Sequence, residues 1–256
     1  MKILLNYNEE EPESNFFENI IHLQHFKRKE ALRKLVDLAP ELKPNNVAHF
    51  ILPMVEHYAF WEAEKERLVS QDAIPAVKKL TQYVTFNQFR AIFIRYLGML
   101  NTANVNQTKN KIRDTVSLIV ASSSAMRQWK IEEETMPKDI LTPQRLDTFI
   151  IGDLIPKLHK ILSDREETTV LMRVPLSESL ISLIMCCSED KVISELPGLL
   201  TRICQMLRSR AEDLRDAVRK HLGRIAISLG PRYLKFIIKE LKSSLLKGPQ
   251  IHILSY

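Results

Sequence analysis

Seven histidines, three cysteines and two runs of glutamate are the residues of this chain whose chemistry is most versatile, and their spacing decides what they can do. His22 and His25 stand three apart on a helical repeat and could share a metal ion, but beyond Glu18 no further ligand lies near them. Cys186, Cys187 and Cys204 are odd in number, lack C-x-x-C spacing and sit among Leu, Ile and Met, so they read as reduced, buried, small apolar residues. Adjacent residues on a helix point about 100° apart, which argues against Cys186 and Cys187 gripping one ion. Glu9, Glu10, Glu11 and Glu13 resemble a solvated linker, and Glu132, Glu133 and Glu134 a loop tip, rather than paired catalytic acids. His221 projects near the apolar side of its helix, the place of a satisfied histidine rather than a general base. No G-x-G-x-x-G, G-x-x-x-x-G-K-[ST], H-E-x-x-H or G-x-S-x-G motif occurs. No catalytic residue, metal site or cofactor site is expected; binding is the expected class of function.

Charge separates the two ends. From Leu200 to Tyr256 there are 12 Lys and Arg against 4 Asp and Glu, while the first 199 residues carry 25 against 27. The net charge of +6 therefore resides in the last fifth, which permits an anionic partner without naming one. No apolar run approaches the roughly 18 residues of a membrane span, and the acidic start is unlike a signal peptide. With the reduced cysteines, this predicts a nuclear or cytoplasmic protein that binds neither membrane nor small-molecule substrate.

The elements that must position these residues are helices. Six glycines in 256 residues leave little room for β-hairpins or nucleotide-binding loops. Phe16, Phe17, Ile20, Ile21, Leu32 and Leu35 suggest a first helix behind an Asn15-x-x-Glu18 capping box, broken or redirected at the basic residues 27–29. Val47, Phe50, Ile51, Met54, Val55 and Tyr58 mark a second, started by Pro44-Asn45-Asn46. A third covers 62–84 with Pro75 inside it, where the missing N–H and the ring clash should produce a kink. Phe86, Phe89, Ile92, Phe93, Tyr96, Leu97 and Leu100 form the clearest stripe, behind a Thr85-x-x-Gln88 capping box. A fifth covers 109–123, after which the pattern breaks. Thr142-Pro143 starts the helix carrying Leu146, Phe149, Ile150, Leu154, Leu158 and Ile161, and further helices are expected near 167–187, 191–207, 211–229 and 231–246.

Taken in pairs, these helices start new units near Val47, Phe86, Pro143, Val192 and Pro231, separations of 39, 57, 49 and 39 residues, and a recurrence near 40 is the signature of stacked helical repeats. Pro156 corresponds to Pro197 and Arg173 to Arg215, 41 and 42 residues apart. The expected architecture is all-α, a HEAT/armadillo-type α-solenoid of about ten to eleven helices. An acidic linker over 1–15 precedes a repeat segment over 16–256, with a surface insertion near 124–142. Because "GPQIHILSY" reads as the first turn of another helix, the segment is expected to be a fragment of a longer array that associates when isolated.

Two helices share the basic tail. On the first, Leu214, Val218, Leu222, Ile225 and Leu229 form the buried stripe, while Asp216 answers Arg219 and Lys220, and Arg215 at the stripe's edge is placed to bond a loop carboxylate. On the second, Arg232, Lys235, Lys239 and Lys242 fall on one face opposite Leu234, Ile238, Leu241 and Leu245, with only Glu240 nearby and Phe236 projecting within the basic face. Four cations over about 15 Å suit a run of phosphates, and an exposed aromatic ring can stack a base. These five residues, Arg232, Lys235, Phe236, Lys239 and Lys242, are the candidate nucleic-acid contacts.

The stretches "FFENIIHLQHFKRKEALRKL" and "LRSRAEDLRDAVRKHLGRIAISLGPRYLKFIIKELKSSLLKGPQIHILSY" resemble the down-regulated-in-metastasis family, the very large HEAT-repeat component twenty of the small-subunit processome. The resemblance runs from Phe16 to Tyr256. It implies an internal segment of a nucleolar scaffold that supports small-subunit processome assembly and pre-ribosomal RNA (18S) processing. It further implies partners among pre-ribosomal RNA, small nucleolar ribonucleoprotein, other processome proteins and neighbouring repeats of the same chain. A nuclear-transport or phosphatase-scaffold HEAT adaptor, or the helical regulatory region of a large kinase, are the alternatives that the helical pattern alone leaves open.

Overall fold

Apolar residues recurring at three and four positions, with few glycines between them, dictate helices. The computed structural model describes residues 12–22, 24–60, 67–101, 109–131, 137–139, 142–163 and 169–245, and among these there is no strand. The helices are α1 (Pro12–Ile20), α2 (His25–Leu38), α3 (Pro44–Asn46), α4 (Leu52–Ala59), α5 (Arg67–Leu80), α6 (Phe86–Asn101), α7 (Lys109–Ile131), α8 (Pro143–Asp147), α9 (Ile155–Leu162), α10 (Val170–Arg173), α11 (Leu176–Ile184), α12 (Glu189–Gln205), α13 (Glu212–Leu229) and α14 (Pro231–Leu245). The chain is all-α, a helical-repeat fold. It divides into two units, Met1–Arg95 with Gln128–Asp139, and Tyr96–Arg127 with Ile140–Tyr256.

In the first unit the helix ends are made largely as the sequence predicts. Thr85 and Gln88 form a reciprocal capping box, Thr85 Oγ1 accepting from the Gln88 N–H at 3.3 Å and Gln88 Oε1 from the Thr85 N–H at 2.9 Å. The Asp139 carboxylate adds a second cap from 53 residues away, accepting from the Phe86 N–H at 2.7 Å and the Asn87 N–H at 3.0 Å. Phe86, Phe89 and Phe93 are fully buried. Trp129 lies edge-on to Phe89 with centroids 4.9 Å apart, and its Nε1–H donates to the Gln82 carbonyl at 3.0 Å.

That tryptophan corrects the expected insertion: α7 runs on to Ile131, so 124–131 is helix whose Ala125, Met126 and Trp129 are buried. The pattern looked broken because buried serines and alanines take the place of large apolar residues; Ser122 and Ser123 are both buried. Glu132, Glu133 and Glu134 lie outside the described residues, as do most of 1–15. Asn15 falls inside α1 rather than capping it, and α1 ends at Ile20, ahead of the basic residues, which lie within α2.

Prolines produce an unexpected feature. A π-helical stretch, Val47–Ile51, ends just before Pro53, and another, Thr148–Leu154, just before Pro156. The Leu52 N–H reaches back five residues to the Val47 carbonyl and the Ile155 N–H to that of Ile150. Spending one extra residue per turn lets the helix bypass the N–H that proline lacks. It also rotates Phe50 off the apolar stripe, so that Phe50 is exposed although Val47, Ile51, Val55 and Tyr58 are buried. Pro75, by contrast, sits inside a continuous α5.

The second unit stacks helices in repeats. Every residue of the expected stripe Leu146, Phe149, Ile150, Leu154, Leu158 and Ile161 is buried, and so are Leu214, Val218, Leu222, Ile225 and Leu229. The two corresponding arginines do corresponding work. Arg173 donates to the Ile161 carbonyl at 3.3 Å and Thr169 Oγ1 at 2.8 Å, and Arg215 to the carbonyls of Ser209 and Arg210 at 3.0 and 2.9 Å. Each thus folds back from the second helix of its pair onto the segment joining it to the first. Arg215 was expected to take a loop carboxylate; it takes loop carbonyls instead, because the turn exposes unpaired C=O groups at that point.

Longer straps hold non-consecutive helices. Asp147, at the end of α8, accepts from the Ser188 N–H at 2.9 Å and the Ser188 hydroxyl at 2.7 Å, capping α12 from 41 residues away. Arg127 of α7 grips Ser228 of α13, one Nη donating to the hydroxyl and the other to the carbonyl at 2.5 Å. Substituting Asp147→Ala removes two charge-assisted bonds and is expected to cost about 2 kcal/mol of stability, read as a lower urea midpoint by circular dichroism.

Candidate nucleic-acid interface

Gly230 sets the direction of α14. Its φ of +73° is a left-handed conformation that side chains disfavour, and it ends α13 with its N–H on the Ala226 carbonyl at 3.1 Å. Pro231 then occupies the first turn of α14, where its missing N–H costs nothing.

The seam that α14 buries is one position round from the expected one. Tyr233, Ile237 and Ser244 face inward, and Arg208 of the turn that ends α12 donates twice to the Ser244 carbonyl, at 2.8 and 2.6 Å. Leu234 and Ile238, expected in the buried stripe, are 42% and 45% exposed. A tyrosine and an arginine strap outweigh two aliphatic side chains in choosing the face, because a larger ring and two charge-assisted bonds are satisfied together.

This rotation turns Lys235, Lys239 and Lys242 outward, opposite the buried seam, and all three are exposed. They span seven residues, about 10 Å of helix. Glu240, the acid expected to dilute this face, instead accepts from the Thr201 hydroxyl of α12 at 2.6 Å and leaves the lysines unanswered by it.

The other two candidates are placed differently. Arg232 pairs with Glu189 in the first turn of α12, and its guanidinium lies 5.6 Å from the Tyr233 ring centroid, so its charge is already engaged. Phe236 is half-buried, stacked on Tyr233 at 6.3 Å with the rings 30° apart, and Lys235 Nζ stands 5.3 Å from its centroid. The result is an aromatic ledge with a cation on it, beside two further lysines. Helix periodicity signals the lysines; the cation–π contact joins adjacent residues, which helical wheels place apart, and no sequence spacing announces it.

Of the histidines, His221, His22 and His25 have partners within the fold. His221 bonds the Glu178 carboxylate, which Arg224 also reaches at 3.3 Å. Burial alone would raise the Glu178 pKa, but the bonds and charges of His221 and Arg224 outweigh it and hold it below the usual range. A depressed carboxylate stabilises the fold above its unfolded pKa of about 4.3 and ceases to as pH falls through its folded value. The stability difference between the wild type and Glu178→Gln is therefore expected to be constant well above the unfolded pKa of about 4.3 and to shrink as pH falls below it toward the lowered folded value, by acid titration of the urea midpoint. Cys186 and Cys187 are buried, and the Cys204 thiol is pushed up to about 12 by burial, with the Glu240 charge adding to the rise. His22 Nδ1 accepts from the Gln24 N–H at 3.1 Å, and Arg28 donates to His25 Nδ1 at 2.5 Å.

The chain is similar to U3 small nucleolar RNA-associated protein 20 of Saccharomyces cerevisiae, 40% identical over the whole of this chain and 10% of that protein. The protein of the same name from Schizosaccharomyces pombe is 30% identical over 97% of this chain and 10% of its own length.

The chain belongs to the U3 small nucleolar RNA-associated protein 20 family.

The domain description of the U3 small nucleolar RNA-associated protein 20 family matches residues 163–256, which include α10 to α14 and so the lysine face. The chain spans about a tenth of the length of either relative. Among solved structures it is similar to a designed armadillo repeat protein, 13% identical with a TM-score of 0.38 over 93% of this chain and 92% of that one. An engineered protein gives 12% identity and a TM-score of 0.40 over 97% and 93% of the two chains.

Proposed function

We propose that the chain is a non-enzymatic scaffold segment in ribosome biogenesis, supporting small-subunit processome assembly and the processing of pre-ribosomal RNA toward 18S. The observation that carries this reading is 40% identity along the whole chain to a protein named for its association with U3 small nucleolar RNA. Its partners on this reading are pre-ribosomal RNA, the small nucleolar ribonucleoprotein, other processome proteins and neighbouring repeats, and its place is the nucleolus.

The face of α14 is the part proposed to touch RNA. Lys235, Lys239 and Lys242 neutralise successive phosphates, and Phe236 with Lys235 offers a ledge for a base. Such contacts follow the backbone of a strand and read little sequence, which suits a scaffold that holds RNA rather than selecting it.

Ultraviolet crosslinking of the chain in nucleolar extract tests the reading. Recovery of pre-ribosomal RNA and processome proteins, with crosslinked peptides from α14, is expected. Exclusive recovery of transport factors overturns the whole reading, whereas RNA crosslinked only outside α14 overturns the assignment of the lysine face alone.

A further inference from the structure

A cleft separate from the lysine face opens between α9, with the π-helical stretch before it, and α12. Ile151 and Ile155 line one side at four-residue spacing and Leu199 the other; Ile155 and Leu199 are 6% and 3% exposed, so the floor is apolar and packed. Gly198 leaves the gap above that floor: a Cβ built on it would meet no atom within 4 Å. The space is about 280 Å³, room for one large side chain and its backbone rather than for a drug-sized ligand.

Three polar groups rim it. Arg202 is exposed and makes no ion pair among the described residues. His159 stands across from it, its pKa lowered to about 4 by burial and by the Arg202 charge, so at neutral pH it offers a hydrogen bond and no charge. Glu195 closes the other end. It precedes Arg202 by seven residues on α12, about 10 Å along the axis, so the cleft carries a cation at one end, an anion at the other and an aliphatic floor between them.

We propose that this cleft docks an extended segment of a partner protein with the pattern basic–x–bulky apolar–x–acidic. In an extended chain these three side chains point to the same side and span about 13 Å, matching the two charges with the apolar side chain over Gly198. The acidic residue pairs with Arg202, the basic one with Glu195, and His159 bonds the peptide backbone. RNA fits less well, because the aliphatic floor gives a base no ring to stack on and Glu195 repels phosphate. The inference concerns a protein partner and stands apart from the RNA contact proposed for α14.

Fluorescence anisotropy with the full chain and the labelled probe Gly-Ser-Lys-Thr-Phe-Thr-Asp-Ser-Gly tests it. Saturable binding is expected, weakened about tenfold or more by Arg202→Glu and likewise by Gly198→Leu, which fills the gap. Leucine in a helix interior favours the helix over glycine, so the second variant keeps the fold, as its circular dichroism and melting midpoint will show. The same probe with Lys in place of Asp is expected to recover binding to the Arg202→Glu variant. No saturable binding up to about 1 mM probe, binding indifferent to both variants, or preferential binding of a uridine decamer lost with Arg202→Glu overturns the proposal.

Discussion

Reversing Lys235, Lys239 and Lys242 together to glutamate is expected to weaken binding of single-stranded pre-ribosomal RNA roughly 100-fold at low salt. It should also flatten the salt dependence of log K by about 2, since each phosphate contact on a single strand contributes about 0.7 to that slope. Filter binding across a salt series measures both. The three lysines face away from the buried seam and none belongs to the Tyr233, Ile237 and Ser244 set, so the helix should stay folded. Arg232→Gln supplies the contrast. Its guanidinium is already paired with Glu189, and its loss is expected to change affinity by less than about threefold. Equal losses from both changes would show that general charge, rather than the lysine face, attracts the RNA.

Trp129→Ala is expected to have the largest effect on stability, about 3–5 kcal/mol in the unit that contains it. The indole is 2% exposed, packs edge-on against Phe89 and donates to the Gln82 carbonyl. Trp129→Phe separates these contributions: it keeps a ring but leaves the Gln82 carbonyl without that donor, and should cost about 1–2 kcal/mol. Urea titration followed by circular dichroism checks both values. A change below about 1 kcal/mol for the alanine variant would mean that 124–131 is the surface segment its composition suggested.

The α6 stripe, the Thr85 capping box and the Thr142-Pro143 start were legible because each rests on local spacing. The pairing of Arg173 with Arg215 was legible too, through position, although not the carbonyls they hold. What could not be read depends on groups far apart in the chain. Trp129 looks like a loop residue until Gln82 and Phe89 are beside it. Hydropathy points to Leu234 and Ile238 on the inner face of α14, whereas Tyr233 and Ile237 occupy it and Arg208, 36 residues before Ser244, ties down the end of the helix. The lysines survived that error because the true seam lies still more squarely opposite them. Glu240 changed meaning for the same reason: its partner Thr201 is 39 residues away.

The clasp of Arg127 on Ser228 joins residues 101 apart, across the helices between them. Arrays in which each repeat touches only its neighbours peel from an end, one unit at a time. A clasp that skips intermediate helices ties the loss of α13 to the loosening of α7. Stretched by force, this unit should therefore yield in one large step rather than a staircase, and Arg127→Ala should restore the staircase.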